Sequence, residues 1–285
     1  MIAPLIVLAI LQGLLEFLPV SSEGQILLVS VLLFNIDAST ALSIVFWLHL
    51  GTAFTVVVFY RKDIFGSIYS KFFDSPTPRN DTGEHPRPLF GPLFQFVAVG
   101  TVGTVIIALP LYFFLASLVP YLVGGIVSTF VGILLIITGG VLYFQRGTKG
   151  ELELKDISWK EALLLGFVQG LAVLPGISRS GMTLTWLLVR GVRRDEALRL
   201  SFLLGVPATL GVVALDLLFG TVFWSVPLYI AFVVLVAFFT GLGSLILLRY
   251  SALKVPWWIF CIAMGLIVVV LSIPALIALP SIGIP

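Results

Sequence analysis

The chain has 285 residues, of which 59% are hydrophobic and only 11% charged, against about 25% charged in an ordinary soluble domain. With a mean hydropathy of +1.16, no water-soluble core could hide so much apolar surface, and lipid is the expected solvent for most of the chain. A net charge of +2 is too small for a nucleic-acid binder that works through phosphate neutralisation.

A membrane-crossing helix needs about 20 apolar residues. Taken in chain order, residues 1–34 fail as a single span because FLPVSSEGQ interrupts them. Each half is too short to cross alone, so the segment is expected to be a helical hairpin that dips into the membrane and returns. The first eleven residues lack a basic n-region and a small-residue cleavage site, and are read as mature protein. Spans are expected at 41–60, 91–118 and 121–144, with a polar, turn-rich loop at 61–88. A second interrupted segment, 162–190, contains LPGISRSGMT and is read as a second re-entrant hairpin. Further spans follow at 197–219, 227–248 and 255–279; the lone Cys261 falls in the last and is read as a small core residue.

The basic residues support this layout. Arg61, Lys62, Lys71, Arg79 and Arg87 fall in one connection, Arg146, Lys149, Lys155 and Lys160 in another. Arg190, Arg193, Arg194 and Arg199 follow the second hairpin, and Arg249 and Lys254 join the last two spans. With six spans and two re-entrant hairpins all of these lie on one face, which the positive-inside rule makes cytoplasmic, with both termini outside. The two halves also resemble each other. Gln12-Gly13-Leu14 precedes Pro19 and a serine pair, as Gln169-Gly170-Leu171 precedes Pro175 and another; LSIVFWLHLGTAFTVV resembles LSFLLGVPATLGVV. The expected architecture is therefore all-α, with residues 1–144 and 145–285 as inverted repeats whose hairpin tips meet near the midplane.

Three ionisable residues, Glu16, His49 and Arg179, lie inside apolar stretches. Placing a charge at the bilayer centre costs about 2.5–3.5 kcal/mol, so such residues usually face an interior site. The plain alternative is a Glu16–Arg179 ion pair that merely joins the hairpins. Ser21 and Ser22 precede one half-helix, Ser178 and Ser180 another, and are expected as N-caps that leave backbone N–H groups and positive helix ends facing the breaks. With the Arg179 fork they would cradle a phosphate, Thr183 adding a hydroxyl and Gly24, Gly176 and Gly181 letting the backbone approach. Glu16 and Glu23 would repel phosphate unless a hard divalent cation lay between, and are the expected metal ligands. Arg194 reads equally as a membrane-surface anchor or a headgroup ligand. His85 is expected to be solvated, and Asp216 is given no chemistry.

These motifs resemble the bacterial undecaprenyl pyrophosphate phosphatases associated with bacitracin resistance. The likeness rests on (E/Q)xxxE at Gln12–Glu16, the following FLPVSS, the complete PGxSRSxxT at Pro175–Thr183, and SFLLGVP at Ser201–Pro207. It implies removal of the terminal phosphate from a polyprenyl diphosphate, aided by Mg²⁺ or Ca²⁺, at a site open to the outer face of the plasma membrane. It also implies roles for Glu16, Ser21, Ser22, Ser178, Arg179, Ser180 and Thr183. The first motif here ends Ser21-Ser22-Glu23-Gly24-Gln25, with Gln25 where the family commonly has His and Gln12 where many members have Glu. His49 stands where the familiar pattern has Gln. The expectation is that Ser22 is the nucleophile, His49 its base and Arg179 the phosphate ligand. Ser21, Ser178, Ser180, Gly181, Thr183, Gln12 and Gln25 complete the phosphate site. Rival readings are a polyprenyl-phosphate flippase without hydrolysis and an enzyme for a dolichol-type lipid. The apolar helices would pack as well in a monomer as in a homodimer.

Overall fold

A computed structural model describes residues 2–18, 21–66, 91–118, 124–144, 150–174, 177–219, 227–251 and parts of 258–273. Most of the polar connection at 61–88, most of the last expected span, and Pro19, His85, Pro175 and Gly176 lie outside these residues. The described elements are α1 (Ile2–Leu15), α2 (Ser22–Phe34), α3 (Ala38–Phe59), α4 (Pro92–Leu118), α5 (Gly124–Phe144), α6 (Trp159–Gly170), α7 (Arg179–Val189), α8 (Arg194–Phe219) and α9 (Pro227–Ser251). Among the described residues no strand forms, and the one bridge pairs Leu152 with Val192.

Among the described residues four helices are long and apolar enough to cross a membrane: Ser39–Phe59, Pro92–Phe114, Arg194–Phe219 and Pro227–Leu248. Their outer faces keep large side chains exposed, including Val102, Ile106 and Phe113 on α4 and Leu228, Leu235 and Phe239 on α9. Large apolar side chains left exposed along helices of this length and hydropathy are what a lipid environment covers. The protein is a multi-pass membrane protein. Helix α8 starts three residues earlier than expected, at Arg194, because Asp195 and Glu196 occupy its first turn, where carboxylates favour the free N–H groups. Helix α3 starts at Ala38 because Asp37 caps it, accepting from the Thr40 N–H at 2.9 Å.

Both expected interruptions are present. Helices α1, α2, α6 and α7 have 14, 13, 12 and 11 residues, or about 17–21 Å at 1.5 Å per residue. The hydrocarbon core is about 30 Å thick. Helices α3 and α8 pack together at the centre; α9 packs on α1 and α3, and α4 on α6 and α8. The glycines of the two Gln-Gly-Leu triplets explain these contacts. A Cβ on Gly13 would come within 2.6 Å of the Gly241 nitrogen of α9, and one on Gly170 within 2.9 Å of the Thr104 carbonyl of α4. Small residues at these points let the backbones approach closely, as membrane helix pairs require.

A large core cluster joins Phe17, Val56, Leu165, Leu187, Leu200, Phe202 and Leu204, and a second joins Leu5, Leu8, Ile26, Ile44, Leu48 and Val233. Between α3 and α8, buried Asp216 accepts from Ser43 at 2.5 Å and from the Trp47 indole at 2.8 Å. That tie fixes the register of the two central helices and explains a buried acid for which the sequence offered no role.

Candidate functional site

The polar centre is built on Glu16, the first residue past α1. The Glu16 N–H still donates to the Gln12 carbonyl at 3.0 Å, so Gln12 and Glu16 share one face at i, i+4. The Gln12 amide donates to Glu16 Oε2 at 2.8 Å. Ser22, the first residue of α2, donates its hydroxyl to the same oxygen at 2.6 Å. Arg179, the first residue of α7, donates from Nη2 to Glu16 Oε1 at 2.5 Å. His49, on α3, places Nε2 3.1 Å from Oε2. Two short-helix N-termini and one long helix thus converge on a single carboxylate that is 5% exposed.

Both ring nitrogens of His49 lie against oxygen atoms. Its Nδ1 is 2.7 Å from the Val45 carbonyl oxygen, which can only accept. Its Nε2 faces a carboxylate already receiving N–H and O–H donors at both oxygens. Both ring nitrogens therefore face acceptors, the arrangement of a doubly protonated imidazolium. The sequence-based expectation that His49 serves Ser22 as its base is not what the resting geometry offers: the hydroxyl is held by Glu16, and His49 stands on the other side as a second cation.

The serines differ from their expected roles as caps. Ser21 occupies the N-cap position of α2 but at φ 57, ψ 69, and its side chain caps nothing. Left-handed backbone at a non-glycine residue costs energy and tends to be kept at functional sites. The Ser21 hydroxyl is buried and has no partner among the described residues. Ser22 lies inside the first turn and is committed to Glu16. Ser178 is the conventional cap, accepting from the Gly181 N–H at 3.0 Å; that N–H is therefore not free for a phosphate. Ser180 also falls inside its helix, and its hydroxyl donates to the Leu18 carbonyl at 3.1 Å, tying α7 to the first break. Thr183 Oγ1 lies 2.9 Å from the Arg179 carbonyl and 2.5 Å from Ser201 Oγ, so its hydroxyl is spent on α7 and α8. Gln25 and Gly24 are buried on α2.

Sequence reading gave no role to Gly205, which lies within the SFLLGVP motif of α8. A Cβ there would lie 1.2 Å from Arg179 Nη1, so the bare backbone is what admits the guanidinium. A narrow crevice beside the pair is lined by Glu16, Phe17, Thr52, Arg179, Phe202, Gly205 and Thr209. Only one of the five N–H groups of Arg179 is used by a protein acceptor among the described residues.

The donor set does not fit a resident divalent ion on Glu16. Both carboxylate oxygens already accept hydrogen bonds, two of them from cationic groups. Glu23, the other expected ligand, is half-buried one position further along α2. Among the described residues no three His, Cys, Asp or Glu side chains gather closely enough to hold a metal.

A multi-pass helical membrane protein with a buried, cation-flanked carboxylate and an adjacent serine has the parts of a membrane-embedded acid–nucleophile site. The model of the family "Bacitracin resistance protein BacA" matches residues 5–270, and the chain belongs to that family. It is similar to a protein of Methanothrix thermoacetophila named undecaprenyl-diphosphatase, 37% identical over 97% of each chain. Proteins of the same name from Haloarcula marismortui and Methanococcoides burtonii are 35% identical over 91% of this chain and 93% of theirs, and 36% identical over 92% and 95%.

Proposed function

We propose that the protein is an integral membrane phosphatase that converts undecaprenyl diphosphate, or a closely similar polyprenyl diphosphate, to the monophosphate and inorganic phosphate. The observation that carries the reading is the Ser22 hydroxyl 2.6 Å from the buried carboxylate of Glu16, which also holds Arg179 and His49. Family membership and the names of the relatives support it.

In this reading the diphosphate binds the N–H groups of Arg179 that Glu16 leaves unused, a fork suited to phosphate. Ser22 Oγ attacks the terminal phosphorus as its proton passes to Glu16 Oε2. The bond from that phosphorus to the bridging oxygen breaks, and the monophosphate lipid leaves with the electron pair. The imidazolium of His49 stabilises the added charge and supplies a proton to the leaving oxygen. Water then adds to the phosphorus as one of its protons passes to the neutral His49; the Ser22 Oγ–phosphorus bond breaks, Ser22 takes back its proton from Glu16, and phosphate leaves. The unpartnered Ser21 hydroxyl serves as a ligand to the bound phosphate.

The finer architecture belongs to the same proposal. Six spans with two re-entrant hairpins, arranged as inverted repeats, are supported by the lengths of α1, α2, α6 and α7 and by the parallel packing of α9 on α1 and α4 on α6. A cytoplasmic basic face, outer termini and an outward-opening site follow from the distribution of Lys and Arg.

The test is phosphate release by purified protein from undecaprenyl diphosphate, with mass spectrometry of acid-quenched reactions. A phosphate adduct on the peptide carrying Ser22 is expected. Absence of phosphate release despite tight binding of the lipid would overturn hydrolysis; release with the adduct on Ser21 would reassign the nucleophile.

A further inference from the structure

A second cavity, of about 490 Å³, lies at the basic end of the molecule between the C-terminal end of α3 and the residues just after it, the first turns of α8 and the last turns of α9. That volume is within the range of small-molecule sites, about 300–1,000 Å³. Its floor is apolar, made by Phe59, Phe202, Leu245 and Leu248. The Phe202 ring packs edge-on against Phe17 at 5.3 Å, and both rings also line the crevice beside Glu16 and Arg179. Phe202 is therefore common to the linings of the two spaces.

The charges around this cavity are sorted. Arg199 holds Glu196 through Nε and Nη2 at 2.8 and 2.7 Å, and reaches Asp63 through Nη1 at 2.8 Å. Asp195 is held by Arg193 at 3.0 Å. The acids are thus engaged with arginines, whereas Arg61, Lys62 and Arg194 line the cavity with no ion pair among the described residues, Arg61 giving one Nη1 N–H to the Val58 carbonyl at 2.9 Å. Open cationic groups above an apolar floor suit an anion on a greasy stem, and Arg and Lys together are the usual recognisers of phosphate.

We infer that this cavity is a second phosphate-binding site, separate from the Glu16–Arg179 centre and independent of the reaction proposed there. Its occupant is a phosphate group, carried either on a lipid at that membrane surface or as free inorganic phosphate. Lysines and arginines near a bilayer also attract anionic lipid diffusely. Lys155 and Lys160 provide the control: both are exposed, stand outside the cavity lining, and are placed at the same end by the Arg193–Glu153 and Arg190–Glu161 pairs.

The experiment is amine acylation of the purified full chain in detergent, read at each lysine by peptide mass spectrometry, with farnesyl monophosphate, inorganic phosphate or neither. At about ten times the half-saturating concentration, labelling of Lys62 should slow about tenfold, with Lys155 and Lys160 unchanged. Protection by farnesyl monophosphate alone assigns a lipid headgroup; protection by inorganic phosphate as well assigns free phosphate. Equal slowing at all three lysines, or none at Lys62, overturns the site. Arg61→Gln combined with Arg194→Gln should remove the protection without lowering the thermal midpoint, and persistence of full protection would refute it. Arg179→Gln should retain the protection. Its loss there would place the ligand at the central centre instead, so failure of the cavity and failure of the hydrolysis proposal give different results.

Discussion

The two interruptions begin alike and end differently. Gln12 and Gln169 are both fully buried, and each leaves its Oε1 without a partner among the described residues. The Gln12 amide turns inward to Glu16 at 2.8 Å. The Gln169 amide turns instead to Thr104 at 2.9 Å and the Leu204 carbonyl at 3.3 Å, on α4 and α8. The first break ends on Ser21 in left-handed backbone, with an idle hydroxyl; the second ends on Ser178 in extended backbone, with its hydroxyl capping α7. The same triplet thus opens a strained, acid-bearing break in one place and a relaxed, cation-bearing one in the other. The first break holds the groups that would react; the second delivers Arg179 to them.

The largest effects should fall on the first break. Glu16→Gln removes the acceptor for Ser22 and the counter-charge for two cations, and should lower phosphate release about 10²–10⁴-fold. Ser22→Ala should be as severe, while Ser21→Ala, which removes a single neutral contact, should cost roughly fivefold. Equal losses for the two serines, in initial rates of release, would erase the distinction drawn between them. Next comes Gly205→Ala. Its methyl displaces the end of a flexible side chain rather than backbone, so the thermal midpoint should barely move. Misplacing the guanidinium by about 1 Å should still cost about 10²-fold in rate.

A smaller effect separates the glutamines. Gln169→Ala strands buried partners on α4 and α8 and should cost about 1–3 kcal/mol of stability with turnover near wild type. Gln12→Ala should instead depress turnover more than stability. A common pattern for both variants would show that the two breaks are functionally equivalent. The smallest effect lies outside the membrane, at Asp37. Hydrogen bonds from Ser39 and Thr40 hold its carboxyl down at about 2, from an ordinary value of 3.8. Because the folded value is the lower one, the stabilisation is complete above pH about 4 and is lost as the pH falls towards 2. Asp37→Ala should cost about 1 kcal/mol and remove that acid-side dependence, as thermal midpoints at pH 3 and pH 7 would report.

Much of this was legible from residue order alone. A charge in an apolar run is costly wherever the run folds, so Glu16, His49 and Arg179 identified themselves as interior groups. Proline and paired serines within the first and second interrupted segments marked where the helices stop. What each serine does was not legible. A hydroxyl beside a helix start can cap, donate or stand idle, and the choice depends on φ, ψ and on what the opposite helix presents. The SFLLGVP motif contained Gly205 but not its role, which is to lack a side chain where another helix inserts one.

The sequence by itself determined the solvent, the helical class and the set of ionisable residues that had to meet, because burial in lipid is decided by composition and charge. Only the tertiary structure decided that they meet on one carboxylate, with Ser22 on Glu16 rather than on His49. It also decided that His49 faces two acceptors and that a separate cavity with unpaired cations shares Phe202 with the central crevice. Those outcomes depend on directions and distances between helices remote in the chain, which no local pattern encodes.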